Sequence, residues 1–176
     1  MSARINEFRA AAVATVKSAM PALRECSEQF GRFNLDELER SSVKTPAVRV
    51  AVLKAKVMPA PSGEVSAQLD CAAFIITDGR DRDAQGWTIA EATAVILDGR
   101  QMFGLTNLGQ PSDVAIMPTL TLSIKQRAVS LIAVEWRQEL HRLGAFIFDE
   151  GHVLEELYMN DEPVDLDALA DGDGDE

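Results

Sequence analysis

The sequence predicts an α+β domain, because helix-like and strand-like patterns of apolar residues occur in one chain of ordinary composition. Two segments repeat apolar residues every three or four positions, which is the spacing of one helix face. Other segments alternate apolar and polar residues or run continuously apolar, as strands do. With 176 residues, of which 47% are hydrophobic, the chain is long enough for one domain with a substantial core.

The first predicted element is an amphipathic helix that ends before Pro21, because proline cannot continue a helix. A short strand and a turn are predicted over residues 22–33, with Gly31 as the breaker. Asn34 is expected to cap a short helical turn that ends at Arg40. The apolar stripe of the first helix consists of Ile5, Phe8, Ala12, Val16 and Ala19.

Two long strands and a second helix are predicted next. The alternation of valines after Thr45-Pro46 predicts a strand, and residues 59–63, rich in proline, serine and glycine, predict a hairpin tip. A second long strand covers 65–77, a polar turn covers 78–83, and a helix runs from Trp87 to Met102. The stripe of this helix is expected at Ile89, Ala92, Val95, Ile96 and Gly99.

The last part of the body contains one clear strand and one ambiguous segment. Residues 113–124 predict a strand, and Pro118 places it at a sheet edge or a bulge. Residues 128–142 fit both a helical and an alternating pattern, and periodicity alone favours a helix. The face predicted for the clear strand consists of Val114, Ile116, Leu120, Leu122 and Ile124.

The charge of the chain is concentrated at its C-terminus. The formal net charge is -11, yet residues 149–176 contain twelve Asp and Glu and no Lys or Arg, so residues 1–148 are nearly neutral. Like charges along one segment favour an extended, solvated chain. We therefore predict an α+β domain over 1–148 and an extended acidic C-terminal arm over 149–176.

Composition also limits where in the cell the protein is expected and which ligands it is expected to bind. No signal peptide pattern and no apolar run of about 20 residues is present, which predicts a cytoplasmic protein without a membrane segment. Two cysteines make no disulfide framework, so Cys26 and Cys71 are expected to be thiols, with Cys71 buried in the core. Clustered basic residues are lacking, which argues against tight binding of duplex DNA.

Several polar motifs resemble metal-binding or catalytic sites but fit ordinary structural roles, such as polar turns, better. Asp81-x-Asp83-x-Gln85-Gly86 resembles half of a calcium loop, yet Ala92 stands where the bidentate glutamate belongs. The acidic end of the chain has similar spacing without the ligands that should follow it. His141 and His152 have no spacing typical of a metal site, and Asp70 and Asp78 lie eight residues apart on one strand. We predict no catalytic residue, no metal and no cofactor.

Taken in order, the segments resemble the Mu-like phage tail proteins grouped with tail terminators and tail-completion proteins. The resemblance covers roughly residues 1–160. It lies in the N-terminal helix, Gly31-Arg32-Phe33, the strand entry at 45–50, Ala73-Phe74-Ile75-Ile76-Thr77 before Asp78-Gly79-Arg80-Asp81, and Val134-Glu135-Trp136-Arg137-Gln138 before Leu143-Gly144. Such proteins often close with a less charged segment that contains glycine, so the acidic C-terminus departs from the family.

The resemblance implies an antiparallel or mixed sheet with two main helices beside it, and it makes the segment around Trp136 a strand. It further implies a homo-oligomeric ring, expected to be a hexamer, that caps the tail tube, ends tube growth and joins tail to head. The implied partners are other copies of the chain, the tail tube protein and a head–tail connector or neck protein, with DNA passing through the lumen and the protein located in the virion. The subunit-interface candidates are Trp136, Arg137, Gln138, Phe146, Phe148, Leu154, Leu157 and Tyr158.

Three other interpretations stay open on the sequence alone. The chain fits a different neck or tail-completion protein, or an interaction protein whose acidic arm binds a basic partner. A small metal-dependent hydrolase would use Asp78, Asp81, His141 and His152. For the two tryptophans, Trp87 and Trp136, a core or interface anchor is more typical than a ligand-stacking role.

Overall fold

The computed structural model describes residues 3–33, 43–98, 100–124, 127–144, 157–159 and 162–164. Within these ranges the chain forms two helices and seven strands. The helices are α1 (Arg4–Ala19) and α2 (Arg82–Ile96). The strands are β1 (Glu25–Phe30), β2 (Ala47–Pro59), β3 (Val65–Asp78), β4 (Ser112–Ile124), β5 (Arg127–Leu140), β6 (Leu157–Met159) and β7 (Glu162–Val164).

The first five strands form one mixed sheet in the order β1-β2-β3-β5-β4. β1 runs parallel to β2, and the other three pairs in this sheet are antiparallel. β6 and β7 form a separate antiparallel pair. The α+β class with a mixed sheet and two helices is therefore confirmed.

Both helices pack on the same face of the sheet and enclose the main core. α1 lies over β1 and β2, and α2 lies over β3 and β5. The predicted stripe of α1 is confirmed at Phe8, Ala12 and Val16, which are buried, and at Ile5, which is partly buried, whereas Ala19 in the last turn is exposed; the helix ends before Pro21, as predicted. The ring of Phe8 meets that of Phe103 edge to face, with centroids 5.6 Å apart. We call this the helix face of the sheet.

The opposite face, which we call the outer face, carries a second apolar cluster at one end. There Phe74 of β3 packs against Phe33, with ring centroids 6.0 Å apart, and Val43 is buried nearby. Because both faces are covered at this end, the strands are apolar on both sides. The sheet residues of this cluster are Ala47, Ala51, Ala72, Phe74, Ile76, Val129, Leu131 and Ala133.

This double burial explains why periodicity misled the interpretation of residues 128–142. The segment is strand β5, as the family resemblance implied, and it pairs with β3 on one side and β4 on the other. Ile132 and Val134 face the helices, while Leu131 and Ala133 join the second cluster. Apolar residues on both faces hide the period of two, so the helix favoured by periodicity was wrong.

Helix α2 begins and ends earlier than predicted. It starts at Arg82, five residues before Trp87, and it ends at Ile96 instead of Met102. The last two residues of the predicted turn, Arg82 and Asp83, therefore lie in the first turn of the helix, where an acidic side chain such as that of Asp83 is favoured by the helix dipole.

The buried face of α2 also differs from the prediction. Val95, expected in the core, is 68% exposed. The small residues on the buried side let the helix approach the sheet closely, and a methyl group on Gly86 would lie 3.1 Å from Cδ1 of Ile132. The prediction relied on the spacing of large apolar side chains, so it missed a helix–sheet contact that small side chains make. The buried positions are Gly86, Ala90 and Thr93.

Strand β4 lies at the edge of the sheet, as Pro118 predicted. Its pairing with β5 shifts register between Ser112 and Ala115 and again between Pro118 and Leu120. Edge position and irregular pairing thus occur together, which is typical of a proline in a strand. Both alternatives that the sequence offered for Pro118 are confirmed.

Some predictions fall outside the described residues. These are the short helical turn at 34–40 and the interface candidates Phe146, Phe148 and Leu154. Leu157 and Tyr158 lie in β6, which is described by its backbone pairing with β7. The boundary at 148/149 and the extended acidic arm stay predictions. In the described part of the chain, neither helix is long and apolar enough to cross a membrane.

Candidate functional site

The Trp136-Arg137-Gln138 segment, the most specific part of the family resemblance, is divided between the two faces of β5. Trp136 is 3% exposed and Gln138 is 1% exposed, and both face the helix side. Arg137 lies between them and points to the outer face, beside Asp70 and Asp113. Since the subunit's own atoms cover Trp136 and Gln138, their side chains are not available to a neighbouring copy. Of these three interface candidates, Arg137 alone is exposed.

Gln138 ties the sheet to the connection between α2 and β4. Its Nε2 donates to the carbonyl of Gln101 at 2.8 Å and to that of Gly109 at 2.9 Å. The indole Nε1 of Trp136 donates to Oε1 of Gln138 at 3.2 Å. Buried polar groups need such partners, so this pair is a device for internal stability.

Arg137 is the centre of a charged groove on the outer face. Its Nε lies 3.1 Å from Oδ1 of Asp70, and its Nη1 lies 2.9 Å from Oδ2 of Asp113. Arg32 approaches Glu135 at 3.4 Å in the same groove. With Lys54 also in the lining, acids and bases balance, so the groove lacks the strong single-sign field that attracts a charged ligand. Exposed pairs of this kind contribute little stability.

A second groove lies between α2 and β4, at the β4 edge of the sheet. It has a volume of about 470 Å³, and its walls include Trp87, Pro118 and Thr119. Trp87 is 47% exposed, so it is no core residue. Met117 and Val114 are exposed on the same strand. This edge of the molecule therefore carries uncovered apolar side chains, which we call the β4 edge patch. Trp87 and Pro118 lie beside the groove, Met117 lies on the outer face, where the register places it opposite Ala133, and Val114 lies farther along β4.

The opposite edge of the sheet carries a different exposed group. Phe30, the last residue of β1, is 90% exposed, and Val57 in the second half of β2 is also exposed. β1 pairs with β2 only as far as Val52. Beyond that point β2 continues as the outer strand, with exposed Lys54 and Lys56. We call Phe30, Val57 and these two lysines the β1 edge group.

The β4 edge and the second half of β2 are poorly suited to adding a long strand through the main chain. Pro118 lacks an N–H, and register shifts flank it in β4. β2 has a register shift between Val52 and Lys54, with two edge lysines after it. Bulges, prolines and lysines are the features with which proteins discourage edge-to-edge strand pairing. Contacts at these edges would therefore depend on side chains.

As predicted, the two cysteines are free and Cys71 is buried; both lie on the helix face. Burial raises the pKa of the Cys26 thiol to about 11, although nearby Lys17 acts in the opposite direction. Burial, reinforced by Asp70, raises the pKa of Cys71 still further. Both thiols are protonated near neutral pH, which makes them poor nucleophiles.

The residues of the hydrolase interpretation are not assembled into one site. Nδ1 of His141 lies 3.0 Å from Oγ of Ser66, at the start of β3. Asp78 ends the same strand and accepts a hydrogen bond from Thr45. Ser66 and Asp78 are twelve positions apart, which corresponds to roughly 40 Å in an extended strand. Asp81 is the residue directly before α2 and makes no side-chain cap hydrogen bond, and His152 lies outside the described residues.

The remaining polar motifs have structural partners. Asp83 accepts a hydrogen bond from Ser130, which joins the first turn of α2 to β5. Asp70 pairs with Arg137. In the described residues, no group of three His, Cys, Asp or Glu side chains is placed to hold a metal ion.

Sequence reasoning missed the exposed Phe30 and the groove beside Trp87. Alternation in β1 places Phe30 on the helix face with Cys26 and Glu28, which the contacts of those two residues with α1 confirm. The sequence carries no signal that α1 leaves the end of β1 uncovered. Neither a family model nor a curated protein matches this chain.

Proposed function

We propose that this chain is a structural subunit that assembles with copies of itself into the ring of a phage tail terminator. The observation that carries the proposal is that the two opposite edges of the sheet expose different apolar groups. The β4 edge patch centres on Trp87 and Pro118, and the β1 edge group centres on Phe30. The family resemblance supplies the biological setting.

Unlike surfaces at opposite edges favour head-to-tail contacts. A symmetric dimer needs one patch that fits itself, whereas a ring needs two different patches that fit each other and a rotation that closes. Exposed large apolar side chains, when grouped, mark interaction surfaces. A subunit of this design acts by shape and docking, and its role requires no bond-making step.

The partners follow from the same role. A ring at the end of a tail contacts the tail tube protein on one side and a head–tail connector or neck protein on the other, so we assign the protein to the virion. DNA crosses the lumen without specific binding. The twelve acids in residues 149–176 would repel phosphates if they faced that lumen, within a range of about 10 Å at moderate salt.

Light scattering at several concentrations tests the proposal. A closed oligomer of constant mass is expected, whereas a monomer at every concentration would contradict self-assembly. A truncation after Phe148 distinguishes two roles for the acidic residues: part of the ring, or a ligand for a basic partner. If the truncated protein still assembles and loses only partner binding, residues 149–176 act as a ligand and not as part of the ring.

A further inference from the structure

We propose that Asp113 protects the β4 edge of the sheet, because its left-handed backbone holds the strand in a bulge that an incoming strand cannot follow. The device is conformational and does not depend on the proposed ring. It concerns the pairing of this edge with strands of other molecules, which would produce open-ended aggregates and not a closed oligomer. The cause of the protection is the backbone conformation of one residue.

The bulge lies at the start of β4. Between the pairs Ser112–Arg137 and Ala115–Glu135, β4 has one residue more than β5. Asp113, in this stretch, has a φ of +53°, which is the left-handed region. Bulges with a left-handed residue are usually built on glycine, since other residues meet a steric cost there, and Asp and Asn are the side chains that accept it most readily. The bulge therefore depends on which residue stands at position 113.

The stability of the subunit does not explain this rare conformation. Nη1 of Arg137 donates to Oδ2 of Asp113 at 2.9 Å, and Nε of Arg137 lies 3.1 Å from Oδ1 of Asp70 on β3. The side chain of Asp113 is nevertheless 66% exposed, and exposed ion pairs contribute little stability. A residue held in a sparsely populated backbone region without a gain in stability points to a functional requirement.

The β4 strand requires protection, since it combines an open edge with apolar side chains. Val114 is 38% exposed and Met117 is 43% exposed. Residues 119–124 contain neither a charged residue nor a proline. Uncharged segments of about six or seven residues with high β propensity are the ones that stack into intermolecular sheets. A regular strand along this edge would present such a template over its whole length.

The two register shifts divide β4 into short straight pieces. Regular pairing covers residues 115–118 and, after the shift that follows Pro118, residues 120–124. A bulge bends the strand and increases its twist, so an added strand loses its register there. If residue 113 became extended, the first straight piece would lengthen to 112–118 and reach the length of about six or seven residues that stacking segments have. The left-handed residue keeps both pieces shorter than that.

Paired variants at position 113 separate backbone conformation from charge. Asp113→Asn and Asp113→Thr both lack the carboxylate and stay polar, but Asn accepts a left-handed backbone whereas the β-branched Thr does not. Asp113→Gly is a second variant that favours the bulge. Ala115→Thr, an exposed change in the adjoining regular pairing, is the matched control for added β propensity. Thioflavin T fluorescence follows open-ended aggregation, and urea denaturation measures stability.

We expect Asp113→Thr to aggregate about tenfold faster than Asp113→Asn, which is roughly the factor that the cost of one left-handed residue implies. Asp113→Gly and the control should aggregate as slowly as the wild type. In the aggregates of the Thr variant, the amides of residues 112–117 should be protected from hydrogen exchange. Equal rates for the Thr and Asn variants, or unprotected amides in that segment, would overturn the proposal. Fast aggregation of the Asn and Gly variants would also overturn it, since the carboxylate would then be the protecting group.

Discussion

The two faces of the central sheet differ although the same strands build them. On β3 and β5, Cys71 and Trp136 point into the helix-covered core, while Asp70 and Arg137, their neighbours in sequence, point to the outer face. Core residues on one face have fixed partners and little exposure. Around Arg137, the outer face is exposed to solvent and its side chains form exposed ion pairs. Adjacent residues of one conspicuous segment therefore have different roles.

The largest difference between the faces should appear at Trp136. Replacing it by alanine removes a large buried side chain and is expected to lower the free energy of unfolding by about 3–5 kcal/mol. Urea denaturation followed by circular dichroism measures the change. Trp87→Ala, in a tryptophan that is 47% exposed, is the control and should cost far less. Equal losses in both proteins would remove the distinction between core and surface tryptophan.

Gln138 tests whether the polar part of the helix face is as important as the apolar part. Gln138→Met keeps the size of the side chain but leaves the carbonyls of Gln101 and Gly109 without their donors. We expect a loss of about 2–3 kcal/mol in the same denaturation experiment. Glu139→Met, at the exposed next position of β5, should change stability little. A stabilising Gln138→Met would show that the network is dispensable.

Arg137 should give a small effect, because exposed ion pairs contribute below about 1 kcal/mol. Arg137→Ala is therefore expected to unfold at nearly the wild-type urea concentration, and added salt should shrink the remaining difference. A loss as large as that of Gln138→Met would mean that the outer-face groove is a structural centre. Retained stability with weakened assembly would instead place Arg137 in a subunit contact.

The cysteines refine the comparison within the helix face. Because burial raises the pKa of folded Cys26 to about 11 from the 9.0 of an unburied thiol, its contribution to stability is complete below pH 9 and is lost as the pH rises towards 11. Alkylation with iodoacetamide, mapped by mass spectrometry, should be slow at pH 8 and faster at Cys26 than at the more deeply buried Cys71. Faster reaction at Cys71 would contradict the packing of β3.

Much of the fold was predictable because local patterns determined it. The apolar stripe around Phe8 predicted α1, the alternating valines predicted β2, and Pro118 predicted the edge position of β4. The prediction failed where tertiary packing decided the outcome. β5 resembled a helix because both of its faces are covered, and α2 buries the small residue Gly86 instead of Val95.

The candidate site was less predictable than the fold. The Trp136-Arg137-Gln138 segment attracted attention as an interface, yet two of its three side chains complete the core. Phe30 gave no signal, since its exposure depends on where α1 lies and not on the residues around it. Surfaces of this kind follow from the placement of whole elements, which a single sequence does not encode locally.

Electron microscopy of the purified protein, with class averages viewed along the ring axis, would show whether the subunits assemble head to tail. We expect a hollow ring of six copies, in which each subunit turns one sheet edge towards the unlike edge of its neighbour. Compact monomers, or dimers in which two identical edges meet across a two-fold axis, would contradict it.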